Sequence, residues 1–156
     1  MITALDTNIL LDILIPDEIH FQRSKELLDE YFGRGQLVVC EMVYAEIAAQ
    51  FPSEDELRDF FCDTGINLSC VNEKSLGMAG ERWKRYAANR PEKLQCPLCG
   101  RKTGVTCSHC GQVIKTRQHI LSDFIIAAHA TLHADVLLSR DRGFYKTYFP
   151  ELQVIR

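Results

Sequence analysis

No apolar run in this sequence approaches the ~20 residues that a membrane helix needs, so no membrane span is expected. The opening Met1-Ile2-Thr3-Ala4-Leu5-Asp6 has neither a basic start nor a small-residue cleavage site. No signal peptide is therefore predicted, and a cytosolic location follows as the expectation. Proline and glycine are sparse, five and nine among 156 residues. There is no low-complexity tract, and no internal repeat beyond a doubled cysteine pair. The remainder is 46% apolar and 25% charged, the balance of one soluble globular domain with a real core.

Acidic residues are nearly missing from one segment. Between Arg82 and His119 stand nine basic residues opposed only by Glu92, while the rest of the chain holds nine basic residues against 20 acidic ones. The net charge of -3 taken alone argues mildly against a nucleic-acid partner. The asymmetry instead suggests one face for a polyanion and another for something else.

Seven cysteines are many for a cytosolic chain of this size, and a reducing compartment points to metal before disulfides. Cys96-Pro97-Leu98-Cys99-Gly100 and Cys107-Ser108-His109-Cys110-Gly111 form a C-x2-C-x7-C-x2-C pattern. The turn inside each pair directs both thiolates to one ion, and the glycine after it permits tight backbone. Four thiolates leave no open position, which means structural zinc; a redox or vestigial site is the alternative. His109 has no necessary role beside two complete pairs. An insert this short, about 91–116, has little core, so zinc would supply its fold. Lys93, Arg101, Lys102, Lys115 and Arg117 flank or lie within the loops and are candidate contacts to the phosphates of a polyanion. The competing reading is that they only compensate the charge of the zinc thiolates. Cys40, Cys62 and Cys70 are expected to be buried small hydrophobes.

Outside the insert, short apolar runs alternate with helical periodicity. Strands are predicted over 2–5, 37–39, 66–71, 136–138 and 152–155. Helices are predicted over 8–14, 21–32, 42–51, 73–88, 119–132 and 142–148. A capping box, Ser53 with Glu56, opens one more that runs to about Cys62. This order gives an α/β fold around a parallel sheet buried on both faces.

Four carboxylates stand out by position. Asp6 and Asp141 follow predicted strands, where open α/β sheets bind ligands. Asp123 falls in the first turn of a helix, after Ser122 as the expected N-cap, and Glu46 lies inside another helix. Each has a bland reading: Asp6 and Asp123 as caps, Asp141 as a helix initiator, Glu46 as a solvated residue. Gathered together they would repel by ~4 kcal/mol per pair at 4 Å and an effective dielectric of 20. A divalent cation removes that cost, and hard oxygens favour Mg2+ or Mn2+. Asp12 and Asp135 are expected at the surface, Ser139 in a turn, and His129 and His133 in packing or surface roles.

Leu5-Asp6-Thr7-Asn8, Tyr44-Ala45-Glu46-Ile47, Leu121-Ser122-Asp123-Phe124-Ile125-Ile126-Ala127-Ala128-His129-Ala130 and Ser139-Arg140-Asp141-Arg142-Gly143-Phe144 resemble, in order, the motifs of PIN domains, particularly the VapC-like ribonuclease toxins. The resemblance covers nearly the whole chain except about 90–116. It implies a central parallel sheet flanked by helices, within a single 1–156 nuclease domain. It also implies a pocket in which Asp6, Glu46, Asp123 and Asp141 hold Mg2+ or Mn2+, with Thr7 or Asn8 hydrogen-bonding inside it. The implied reaction is hydrolysis of an RNA phosphodiester with no side-chain nucleophile. An antitoxin partner and a homodimer are further implications. The insert departs from the usual short toxin, where a brief loop joins these helices. Two rival readings are a non-catalytic PIN scaffold binding RNA or protein through the zinc module, and a DNA nuclease, for which the chain is short.

Overall fold

The computed structural model describes residues 1–15, 18–89, 92–96, 98–114 and 119–156. Five strands form one parallel sheet: β1 (Ile2–Leu5), β2 (Gln36–Val39), β3 (Asn67–Leu68), β6 (Val136–Leu138) and β7 (Val154–Ile155), in the order β3-β2-β1-β6-β7. The chain first builds outward from β1 through β2 to β3, then returns to the other side of β1 with β6. The order therefore reverses between β1 and β6, and ligands bind in the crevice beyond strand ends at such a point. Asp6 and Ser139 are the first residues past these two strands, and the Asp6 N–H reaches the Leu138 carbonyl at 3.0 Å.

Both faces of the sheet are covered. Alternate residues on the strands point to opposite faces. Leu5, Leu37, Val39 and Leu138 join α1 (Thr7–Leu14), α2 (Phe21–Phe32) and α3 (Glu41–Ala48) in one core through Ile9, Leu27, Val43 and Ile47. Ala4, Val38 and Leu137 face a second core with α5 (Glu73–Ala88) and α6 (Leu121–His133). The remaining helices are α4 (Glu54–Thr64) and α7 (Phe144–Tyr148). No helix among the described residues is long and apolar enough to cross a membrane.

The helix ends follow local chemistry. Ser53 Oγ accepts the Glu56 N–H at 3.2 Å to open α4, and Gly65 closes it at φ 65°, a conformation glycine adopts without strain. Asn72 caps α5 through the Ser75 N–H. At α6 the expected Ser122 cap gives way to another arrangement. The cap position is Ile120, whose N–H donates to Asp123 Oδ2 at 2.8 Å, so the fourth residue of the turn supplies the acceptor. The expected strands at 66–71 and 152–155 shrink to two residues each, because both lie at the sheet edges with a partner on one side only.

Phe124 is fully buried in the second core, with ring contacts to Trp83, Tyr86, Phe144, Tyr148 and Phe149. Phe124→Ala should destabilise the protein by about 3–5 kcal/mol, read as a lower urea midpoint at unchanged slope. A loss below about 1 kcal/mol would mean that this aromatic cluster is not the keystone of the α5–α6 packing.

Between α5 and α6 the chain forms a separate two-stranded antiparallel sheet, β4 (Lys93–Gln95) with β5 (Lys102–Gly104), followed by a bridge from Thr106 to Val113.

Candidate active site

Asp6, Glu46, Asp123 and Asp141 line one cavity of about 960 Å3 at the reversal point of the sheet. The four come from different elements. Asp6 ends β1, Glu46 projects from α3, Asp123 sits in the first turn of α6, and Asp141 lies between β6 and α7. The bland readings of two of them hold as well. Asp141 Oδ1 accepts the N–H groups of Gly143, Phe144 and Tyr145 at 2.9, 2.7 and 3.3 Å and so starts α7. Asp123 caps α6 through Ile120. A carboxylate can cap a helix and line a cavity at once because capping occupies one oxygen.

That economy recurs. Asn8 Nδ2, Ser139 Oγ and Tyr145 Oη donate to Asp6 Oδ2 at 2.7, 2.5 and 2.9 Å. Thr7 Oγ1 donates to Glu46 Oε2. In each of the four carboxylates the donors just named gather on a single oxygen, and the Asp6 carboxylate also accepts the Thr7 backbone N–H.

The electrostatics match. Burial pushes the Asp6 carboxyl up to about 6, the charge of Asp123 adds to the rise, and the hydrogen bonds from Ser139 and Tyr145 oppose it. Burial, reinforced by Asp6 and the other carboxylates, also raises the Tyr145 phenol well above its usual value, so Tyr145 stays a donor. A buried carboxylate that keeps a raised pKa beside another negative charge lacks a countercharge, and a divalent cation would supply one. The donor chemistry fits Mg2+ or Mn2+. Among the described residues, however, no three His, Cys, Asp or Glu side chains are gathered closely enough to hold one ion.

Ser139 is no mere turn residue: it is buried and fixes Asp6. Asp12, expected at the surface, is only 2% exposed. It receives Ser24 Oγ at 2.5 Å and stands 2.8 Å from Arg140 Nε, so its charge is paired. Asp135 is at the surface, where it accepts the Ile2 N–H. His129 and His133 stack 5.0 Å apart, with His129 Nε2 3.0 Å from Ser69 Oγ, a packing role. Tyr145, Arg23, Arg140 and Arg142 also line the cavity, and sequence reasoning missed all four. Tyr145 stands four residues after Asp141 as the second residue of α7, and nothing local in the sequence marks where its hydroxyl goes. His119 closes the rim, its ring stacked on Phe144 at 4.2 Å and its Nδ1 3.6 Å from Asp123.

The cysteines form two close pairs, Cys96 with Cys99 and Cys107 with Cys110. Backbone N–H groups of Cys99 and Leu98 turn toward the Cys96 sulfur, and those of Cys110 and His109 toward Cys107, holding both thiols below their ordinary value. The Cys96 and Cys107 carbonyls accept the N–H of Gly100 and Gly111, both glycines at positive φ, as the tight turns require. The two pairs are not gathered into one four-sulfur group among the described residues. Cys96 lines the carboxylate cavity, and Arg142 Nη1 donates to the Leu98 carbonyl at 3.2 Å. Lys93, Arg101 and Lys102 are exposed, while Lys115 and Arg117 lie outside the described residues. Of the scattered cysteines Cys40 is buried as expected, but Cys62 and Cys70 are exposed. Cys62 falls on the outer side of α4, and Cys70 follows the truncated edge strand β3, so neither reaches a core.

The fold is shared with solved structures of low sequence identity. One is the VapBC2 complex of Rickettsia felis bound to a DNA fragment from their promoter, 17% identical over 99% of this chain and 98% of that one, with TM-score 0.60. Another is a toxin–antitoxin complex from Klebsiella pneumoniae, 15% identical over 99% and 96%, with TM-score 0.62. No curated protein sequence matches the chain significantly. The PIN domain profile matches residues 3–97, a stretch that contains Asp6 and Glu46, while Asp123 and Asp141 lie beyond it. That match spans more than half of the sequence, and the chain belongs to the PIN domain family.

Proposed function

We propose that this chain is an endoribonuclease that depends on Mg2+ or Mn2+, acting as the toxin of a toxin–antitoxin pair or as an RNA-processing nuclease. The observation that carries this reading is the convergence of four carboxylates from four elements on one cavity at the reversal point of the sheet. Asp6, Glu46, Asp123 and Asp141 would hold the cation through the oxygens their capping and side-chain donors leave over. When bound, the cation would supply an activated water and charge stabilisation at the leaving 3′ oxygen. The protein's own part is to fix the acids. Asn8, Ser139 and Tyr145 hold Asp6, Thr7 holds Glu46, and the turn into α7 holds Asp141.

Two further assignments belong to this reading. Residues 91–116 form a zinc-binding insert within a single 1–156 nuclease domain, with Cys96, Cys99, Cys107 and Cys110 as structural ligands. The thiol pairs, their inward-turned N–H groups and the glycine turns support this. Lys93, Arg101, Lys102, Lys115 and Arg117 would give the insert its grip on RNA phosphates. The resemblance in fold to two toxin–antitoxin complexes supports an antitoxin protein as partner, and a homodimer is consistent with it.

The test is incubation of a mixed single-stranded RNA pool with the purified protein and Mn2+, Mg2+ or EDTA. Internal cleavage with either metal and none with EDTA is expected. RNA binding without cleavage under every condition would instead favour the scaffold reading.

A further inference from the structure

Arg140 is held from two directions. Its backbone N–H donates to Asn8 Oδ1 at 3.0 Å, and Asn8 itself donates to Asp6 and Ser139. Its Nε lies 2.8 Å from Oδ2 of the buried Asp12, a charge contact without the alignment of a hydrogen bond. Ser24 fixes the same Asp12 oxygen. A guanidinium carries five N–H donors in a rigid fork, and among the described contacts nothing takes Nη1 or Nη2 of Arg140. The side chain is 36% exposed and lines the carboxylate cavity. Of the cavity's three other arginines, Arg23, Arg142 and Arg156, the first donates to the Arg156 carbonyl at 2.6 Å and the second to that of Leu98.

Stability alone does not account for this arrangement. Taking a carboxylate and a guanidinium out of water costs about what their attraction returns, and an apolar pair would pack as well or better. What the contact does achieve is aim. An arginine whose Nε side rests against a held carboxylate leaves its two Nη groups for another partner, and their fork matches two oxygens of a phosphate.

We propose that Arg140 binds an RNA phosphate adjacent to the one being cut, and that Asp12 is the positioning residue that aims it. The proposal rests on the nuclease reading and deepens it. The cavity then has one wall of carboxylates for the cation and a cationic point beside it for the substrate backbone. The register of the strand relative to the reacting centre is set by their separation.

The experiment measures cleavage of a labelled 12-nucleotide single-stranded RNA with Mn2+. It also measures binding of the same RNA by fluorescence anisotropy across salt, in an Asp6→Asn background that leaves the RNA intact. Arg140→Gln should raise KM about tenfold, the order expected for a charge-assisted hydrogen bond, with kcat within about twofold. It should also flatten the slope of log affinity against log salt by about 0.7, one single-strand phosphate contact. Arg140→Lys should keep the slope but lose part of the affinity, because charge remains and the fork is gone. Asp12→Asn should raise KM at unchanged slope. Wild-type KM and slope in Arg140→Gln would overturn the assignment, as would a fall in kcat at constant KM. If Arg140→Gln does not fold, Arg140→Lys decides, and an unchanged KM there overturns it equally. Failure of the nuclease reading looks different: the wild-type protein itself would then cut no RNA with either metal, whether or not it binds RNA.

Discussion

Asp6→Asn is expected to abolish metal-dependent cleavage while making the metal-free protein more stable. Asn has the shape of Asp, and its carbonyl can still accept from Asn8, Ser139 and Tyr145. What it loses is the charge a cation needs. Changing a residue that merely orients a metal ligand lowers activity or metal affinity by about 10–100-fold, so removal of a ligand should exceed 100-fold. The stability gain has its sign fixed by the raised pKa. The folded protein holds the Asp6 proton up to about pH 6, against 3.8 for the ordinary group. Protonation therefore favours the folded state, and stability rises as pH falls from above 6 toward 4. Above pH 6 the ionised, buried carboxylate costs up to about 3 kcal/mol at 1.36 kcal/mol per pH unit. Without metal, wild-type Tm should climb between pH 7.5 and 5. The variant should start higher, by up to roughly 6–12 °C for a chain of this size, and vary less across that window. With Mn2+ the wild type should recover the difference at pH 7.5, and its cleavage should fall as pH drops through 6, because proton and cation compete for one group. Cleavage by Asp6→Asn at the wild-type rate would remove Asp6 from the metal site. A flat metal-free Tm profile in the wild type would remove the electrostatic argument.

Chelating zinc, or combining Cys96→Ser with Cys107→Ser, is expected to unfold the insert and leave the main sheet folded. Among the described residues little packing holds the insert. Leu98, Val113 and Ile114 are 78%, 45% and 41% exposed, and its regular structure among the described residues is one three-pair hairpin and one bridge. A lone hairpin is marginal in water, whereas structural zinc contributes about 10–16 kcal/mol in finger peptides. Elemental analysis should find about one zinc per chain, and hydrogen exchange should show amides of 92–114 losing protection on chelation while β1 and β6 keep theirs. Protein purified without chelators that contains no zinc would sink the idea. So would an insert whose exchange ignores the chelator.

The sequence revealed elements wherever periodicity was strong and both ends were punctuated. The strands Ile2–Leu5 and Val136–Leu138 and the helices Phe21–Phe32 and Glu73–Ala88 have the bounds that their patterns predict. Length failed at the sheet edges, where apolar residues suited to a strand have a partner on one side only. Asp12 was misjudged for a different reason. Charge predicts exposure unless a partner is known, and its partner Arg140 is 128 positions away. The same holds for Tyr145 on Asp6, an aromatic in a phenylalanine-rich run with no local mark of its hydroxyl's destination. The convergence of the four carboxylates depended on strand order, which alternation of elements leaves open.

The chain's single tryptophan, Trp83, stands edge-on to Phe124 at 5.4 Å and 5.6 Å from Tyr86, inside the seam between α5 and α6. Those two helices bracket the insert in the chain, and the half-buried indole packs against the second core. Its emission therefore responds to that seam, whereas exchange and circular dichroism respond to the whole chain. A seam that holds while the insert melts would give a fluorescence transition later than the first one seen by exchange. Disagreement between these probes would measure how far the two parts of this chain unfold independently.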